Sequence, residues 1–142
     1  MSQIMGDKIA LSLKAPSRCR MLYQILLKER PIGEIELDQI AWRSGEAELK
    51  IEIFDSFLHR HGYGTDAVTT LVEHAFLTMN MNRVYLRVHA TNECAIRCYE
   101  KAGFKKLGRL RRTITDGNTR EEILLMGISR KDFHKQEQCR AV

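Results

Sequence analysis

The sequence predicts one α/β domain, with a mixed, mostly antiparallel sheet of six to seven strands and two main helices. Three patterns predict it: alternating strands fill the first third, a glycine-rich turn leads into an amphipathic helix, and a second strand and helix precede a hairpin. A chain of 142 residues is long enough for one domain and too short for two. We place the domain at residues 1–133 and a polar tail at 134–142.

The first third predicts an antiparallel meander. Strands are predicted at 8–13, 20–28, 34–42 and 47–54, separated by short segments with turn residues. The last of these alternates cleanly, so its apolar and charged side chains belong to opposite faces of the sheet. The apolar face has Leu49, Ile51 and Ile53, and the charged face has Glu48, Lys50 and Glu52.

The remaining elements follow from a change of periodicity. Apolar spacing becomes helical from Thr65, and that helix is predicted to end by residues 80–82. A strand follows at 83–89, and Asn92 is a suitable N-cap for a second helix running to about residue 101, with Gly103 at its C-terminal end. Strands at 104–114 and 120–129 are joined by an Asp-Gly turn typical of hairpins.

Composition limits the possible locations and cofactors. No apolar run approaches the ~20 residues that span a bilayer, and the N-terminus lacks the pattern of a secretory signal, so we predict a cytoplasmic protein without membrane contact. The four cysteines form no CxxC pair, and a zinc site at Cys94 and Cys98 would need two further ligands. We therefore predict reduced cysteines and no metal.

The net charge of +5 is concentrated in the C-terminal third, where residues 97–142 contain twelve Lys and Arg against six Asp and Glu. The densest basic run is Lys105, Lys106, Arg109, Arg111 and Arg112. Such a run binds nucleic acid or another acidic ligand, or is simply a solvated strand face. No nucleic-acid-binding motif accompanies it, so a nucleic-acid partner is the disfavoured interpretation.

The segment between the strand ending at 54 and the first helix indicates a phosphate site. It reads His59, Arg60, His61, Gly62, Tyr63, Gly64, Thr65. Glycines allow close approach of the backbone to a ligand, and the first turn of a helix leaves N–H groups that attract anions. The alternative is an ordinary tight turn that needs glycine only for steric reasons.

Four ordered segments resemble the GNAT superfamily of N-acetyltransferases. They are AELKIEIF, HRHGYGTDA, RVYLRVHATNECAIRCYEKAGF and the hairpin ending in EEILLMGI. The likeness is greatest to the spermidine and ribosomal-protein (RimJ/RimL-type) acetyltransferases, which share the NxxAIxxYEKxGF-like helix. The family turn usually begins with Arg or Gln, whereas this chain has His59 there.

The resemblance implies that acetyl-CoA is bound as co-substrate. It implies that residues 59–65 hold the pyrophosphate and that Asn92 contacts the pantetheine arm through its side-chain amide. The backbone of Glu52, Ile53 and Phe54 would pair with the same arm, because the family's strands splay apart there.

The resemblance also implies catalytic roles, with transfer by direct attack in a ternary complex. Tyr99 stands at the position of the family's general acid, and its alternative role is that of a half-buried helix tyrosine. Glu48 has the spacing of a catalytic glutamate in the histone-acetylating branch, and its alternative is a charge on the solvent face, with Glu52 as substitute base. His89, on a strand face with Tyr85 and Arg87, and His74 are weaker candidates.

The acceptor side is the least determined part. The related branches carry two helices between the first and second strands, whereas here only residues 14–20 separate those strands. We expect the acceptor to be a small-molecule amine or a protein or peptide amine, and we expect a homodimer that covers the exposed side. The alternatives are a degenerate acetyl-CoA-binding regulatory module and a nucleic-acid-binding protein.

Overall fold

A computed structural model of the chain describes residues 3–55, 58–59, 61–113, 117 and 120–140. Within that part the chain forms one mixed sheet of eight strands and three helices. The predicted six to seven strands are one or two too few, and the predicted two main helices are one too few. The strands are β1 (Gln3–Met5), β2 (Ala10–Pro16), β3 (Met21–Leu27), β4 (Arg30–Ala41), β5 (Glu46–Ile53), β6 (Arg83–His89), β7 (Lys105–Thr113) and β8 (Arg120–Ser129). The helices are α1 (Tyr63–Leu77), α2 (Glu93–Lys101) and α3 (Arg130–Arg140).

The two unpredicted elements lack a periodic pattern. β1 is only three residues long and pairs with β2, so it is too short to show alternation. The sequence of α3 is almost entirely polar, and Phe133 is its buried apolar anchor. The predicted boundary between domain and tail at 133/134 therefore falls inside a helix. The division into domain and tail otherwise stays a prediction.

The sheet is antiparallel except at one junction. Its order is β1-β2-β3-β4-β5-β6-β8-β7, and the described strands pair in parallel only between β5 and β6. A parallel neighbour requires a crossover, and α1 provides it from β5 to β6. The site predicted from the sequence lies at this crossover.

The three helices form one layer on one face of the sheet. The ring of Phe76 in α1 stacks on that of Phe133 in α3, with centroids 5.1 Å apart, and Thr65 of α1 hydrogen-bonds Cys98 of α2. The apolar residues of the strands point into this layer, and Leu11, Ile25, Ile35 and Leu86 are among its fully buried side chains. We call the opposite side the open face, since no described helix packs on it.

The open face exists because no helices follow β2. A tight turn, in which the Ser17 N–H donates to the Arg20 carbonyl over 2.8 Å, joins β2 directly to β3. The predicted lack of a helical pair at this point is confirmed. The open face carries mostly polar residues, as expected for alternate strand positions that face water.

Candidate active site

A gap between β5 and β6 lies at the centre of the candidate site. The two strands pair only from Glu46↔Arg83 to Glu48↔Tyr85, and beyond that point β6 continues with β8 while β5 continues with β4. Neither strand finds a partner across the gap in the part of the chain that the structure describes. The free edges are therefore available to an extended ligand.

Alternation along β5 decides which backbone groups face the gap. The Phe54 N–H donates to the Ile32 carbonyl of β4 over 2.9 Å, and a Cβ on Gly33 of β4 would collide with the carbonyl oxygen of Glu52. The Phe54 N–H and the Glu52 carbonyl therefore point to β4, and the alternate residues of β5 direct their backbone groups away from β4. Ile53 and the unpredicted Ile51 direct their backbone groups to the gap, where the Ile53 carbonyl oxygen already lies 3.3 Å from His59 Nε2.

The N-terminus of α1 lies beside the end of this gap. Gly62 is its N-cap, with φ 83°, and no side chain caps the helix. The N–H groups of Tyr63, Gly64 and Thr65 precede the first helical hydrogen bond, that from Asp66 N–H to the Gly62 carbonyl. Three converging donors and the helix dipole make this end attractive to an anion.

The histidines of the turn have structural contacts. His59 Nε2 lies 3.3 Å from the Ile53 carbonyl oxygen, which ties the turn to the end of β5. The rings of His61 and Tyr63 stack with centroids 5.7 Å apart. Arg60, the charged residue predicted to hold pyrophosphate, lies outside the described residues.

Lys8 is a basic residue near the turn that no sequence pattern marks. Its Nζ donates to the His61 carbonyl over 3.1 Å and would lie 2.7 Å from a Cβ on Gly62. Asp66 holds it there, since this carboxylate accepts the backbone N–H groups of Asp7, Lys8 and Ile9 at 2.7–3.1 Å. No sequence signal links these residues, because they are separated by more than fifty positions.

Helix α2 borders the other side of α1. The Asn92 Oδ1 accepts the Ala95 N–H over 3.2 Å, so its predicted N-cap role is confirmed, and its NH₂ group stays available to a ligand. The Thr65 hydroxyl donates to Cys98 Sγ over 3.2 Å, which joins the two helices. Burial raises the pKa of the Cys98 thiol, which keeps it protonated and unreactive.

Tyr99 is half-buried in α2, with its ring centroid 6.1 Å from that of Phe104. Burial, with a smaller contribution from the Cys98 thiol, raises the pKa of Tyr99 to about 12. The phenol therefore keeps its proton at neutral pH and is able to donate it.

Glu48 and Arg87 form an ion pair across the start of the gap. Arg87 Nε and Nη2 donate to the two carboxylate oxygens of Glu48 over 2.7 and 3.1 Å. The Glu48 side chain is only 3% exposed, whereas that of Arg87 is 51% exposed. The alternative interpretation of Glu48, a solvated charge, is wrong.

The open face beside the gap is acidic. Register places Glu34 opposite Glu52 and Asp38 opposite Glu48. Lys50 Nζ donates to Asp38 over 3.0 Å and lowers the pKa of that carboxyl, and Arg20 pairs with Glu36. No described cation pairs with Glu34 or Glu52. Like charges directly opposite each other destabilise a sheet, so this pair favours a cationic ligand.

The basic run of β7 is partly neutralised. Lys105 pairs with Asp132 over 3.1 Å and Arg109 with Glu122 over 2.9 Å. Over the described residues, no three His, Cys, Asp or Glu side chains come together as a metal site would need. None of the described helices has the length and apolar character to cross a bilayer.

The model of the acetyltransferase (GNAT) domain family matches residues 4–105. This match covers more than half of the chain. The chain belongs to the GNAT acetyltransferase family. The predicted resemblance to that family is confirmed, while the specific likeness to the ribosomal-protein branch stays a prediction.

Two relatives illustrate the range of the family. An N-acetyltransferase derived from the SPbeta prophage of Bacillus subtilis is 24% identical over 102 residues, which are 72% of this chain and 57% of the relative. The spermidine N(1)-acetyltransferase of Vibrio cholerae is 29% identical over 79 residues, 56% of this chain and 45% of the relative. The chain thus spans about half the length of these GNAT relatives.

Solved structures agree on the fold. The spermidine N-acetyltransferase of Vibrio cholerae in complex with CoA and spermine superposes with a TM-score of 0.73 at 23% identity, covering 82% of this chain and 69% of that one. A dodecameric structure of the same enzyme gives a TM-score of 0.73 at 22% identity, covering 82% and 68%. At this identity the likeness concerns the GNAT fold alone.

Proposed function

We propose that this GNAT protein transfers an acetyl group from acetyl-CoA to a primary amine. One observation carries the proposal: the gap between β5 and β6 leads directly to the uncapped N-terminus of α1. An extended thioester with an anionic end fits these two features together, since one offers free strand edges and the other offers anion-binding donors.

The residues present fit the cofactor. The N–H groups of residues 63–65 would hold the diphosphate. The backbone of Ile51 and the N–H of Ile53 would pair with the pantetheine arm, since the Ile53 carbonyl already contacts His59. Ile53 keeps the role that the sequence predicted for it, whereas Glu52 and Phe54, predicted with it, direct backbone groups at β4. The Asn92 NH₂ group would donate to the same arm. Bound acetyl-CoA supplies an activated acyl group next to the acceptor side.

Tyr99 would act as the general acid. Its protonated phenol would give a proton to the departing sulfur, and the pKa of about 12 ensures that the proton is present at neutral pH. The base role predicted for Glu48 stays a prediction that its contacts do not favour. Both of its oxygens already accept hydrogen bonds from Arg87, so we assign this pair the role of fixing the start of the gap.

The acceptor is proposed to be cationic. Neither Glu34 nor Glu52 on the open face forms an ion pair with a described cation, although Arg20 interacts with Glu34 from a distance, and an acceptor ammonium group beside them would relieve their repulsion. A polyamine satisfies this requirement, and spermidine is named as the substrate of a relative. Since none of the described helices walls the open face, a basic peptide amine is a second acceptor class that fits.

The test is thiol release from acetyl-CoA in the presence of an amine panel, preceded by calorimetric titration with acetyl-CoA. We expect saturable cofactor binding and turnover with polyamines above that with amino acids or amino sugars. Binding without turnover would contradict the enzyme and favour the regulatory module. Absence of binding would contradict the whole proposal and favour a nucleic-acid-binding role for the basic run of β7.

A homodimer stays a prediction, because the structure describes one chain. The uncovered open face supports it, and a spermidine acetyltransferase of this fold is known as a dodecamer. Light scattering coupled to size-exclusion chromatography measures the assembly directly. A monomer at the concentration used for the assay would reject the dimer.

A further inference from the structure

A histidine–carboxylate pair lies on the open face at the end of β6. His89 Nδ1 is 2.9 Å from Glu121 Oε1 of β8. The His89 side chain is 58% exposed, whereas that of Glu121 is 16% exposed. Because a carboxylate only accepts, Nδ1 must carry the proton, and Nε2 in the neutral ring then has the free lone pair. No described residue hydrogen-bonds Nε2.

The pair borders the gap on the acceptor side. β6 loses its β5 partner after Tyr85, so His89 is on the part of the strand that flanks the gap. Its side chain shares the open face with those of Tyr85 and Arg87, by strand alternation. The His89 carbonyl also accepts the Asn92 N–H over 3.0 Å, which connects it to the predicted pantetheine contact.

The other ionisable groups on this side are less suited to take a proton. Glu48 is held by Arg87 through both oxygens, and Arg87 is cationic, with its pKa raised by that hydrogen bond. Burial raises the pKa of Tyr85, so that phenol is protonated. Glu52 is exposed, and no described side chain hydrogen-bonds its carboxylate to orient it towards an acceptor.

We propose that His89, oriented by Glu121, is the general base that deprotonates the acceptor ammonium. This inference rests on the proposed acetyl transfer. Nε2 of His89 takes one proton from the ammonium, and the amine nitrogen forms the C–N bond as the C–S bond breaks. The sulfur takes the Tyr99 proton, and the second amine proton restores the phenol. His89 then releases its proton to water, so the reaction yields amide, thiol and one proton.

The test compares kcat at saturating amine between pH 5.5 and 9 for the full chain and its variants. His89→Gln should lower kcat at neutral pH about 100-fold, in the range that a general base contributes, and should abolish the acidic limb of the profile. Added imidazole should partly rescue His89→Ala. Glu121→Gln should lower kcat less than His89→Gln, because a neutral amide oxygen accepts the Nδ1–H more weakly than a carboxylate and orients the ring less firmly. His134→Gln, an exposed histidine of α3, is the matched control and should match wild type.

A second readout does not depend on turnover. Nitrogen-15 NMR of the imidazole rings should show His89 protonated at Nδ1 in the neutral form, and Glu121→Leu should remove this preference. Nε2 protonation in the wild type would overturn the inference. So would an unchanged acidic limb in His89→Gln while wild type turns over. Absence of turnover in wild type would overturn the proposed function, and with it the role of His89.

Discussion

Removing Arg87 should destabilise the fold more than removing Glu48, although both changes break the same ion pair. Arg87→Met leaves a carboxylate whose side chain is only 3% exposed, whereas Glu48→Gln leaves a guanidinium whose side chain is 51% exposed and accessible to water. Breaking a buried pair costs about 3–5 kcal/mol when the remaining charge is fully buried. Because solvent reaches this pair from one side, we expect about 2–3 kcal/mol for Arg87→Met and about 1 kcal/mol for Glu48→Gln.

Urea unfolding of the two single variants and of the double variant Glu48→Met/Arg87→Met measures this asymmetry. The double variant should recover most of the loss, since no charge remains buried without a partner. Equal costs for the two single variants would contradict the expected asymmetry, as would a double variant less stable than Arg87→Met. Either result would mean that Glu48 is already well solvated in the folded chain.

Three further predictions concern the cofactor side. The pKa of Tyr99 in the folded chain is about 12, above the ordinary ~10 of a tyrosine. The protonated phenol therefore stabilises the folded state fully below pH ~10, and this stabilisation is lost towards pH 12. Wild type should therefore lose about 2–3 kcal/mol more than Tyr99→Phe over that interval in urea unfolding, and equal losses would contradict the assigned pKa. Lys8→Met should weaken CoA binding about 3–10-fold in calorimetry and reduce its salt dependence, whereas the exposed Lys14→Met should change neither. Gly62→Ala should cost about 1–2 kcal/mol in thermal unfolding because of its φ of 83° and the Lys8 contact; Gly108→Ala, with open space around its Cβ position, is the control.

Local patterns predicted much of the fold. The bounds of β6 and β8 match the predicted 83–89 and 120–129, because alternation and flanking turn residues mark them clearly. Asn92 was predicted as an N-cap since capping depends on residues three positions apart. α3 was missed for the opposite reason: its stability depends on docking of Phe133 against Phe76, a contact that no local pattern reveals.

The candidate site was predicted in part. The glycine turn before α1 has a local signature, and the structure gives it an uncapped helix end. The partners of Glu48 and His89 depend on strand register. Register brings Arg87 to Glu48, 39 positions away, and brings Glu121 of β8 to His89 of β6. A single sequence does not contain that register. The orientation of Phe54 towards β4 depends on it as well.

A crystal structure of the chain with bound CoA is the decisive test of the proposed cofactor site. Diphosphate oxygens should lie within about 3 Å of the N–H groups of Tyr63, Gly64 and Thr65, with the pantetheine arm between β5 and β6. A nucleotide bound elsewhere, or a gap closed by continuous pairing of β5 with β6, would contradict it.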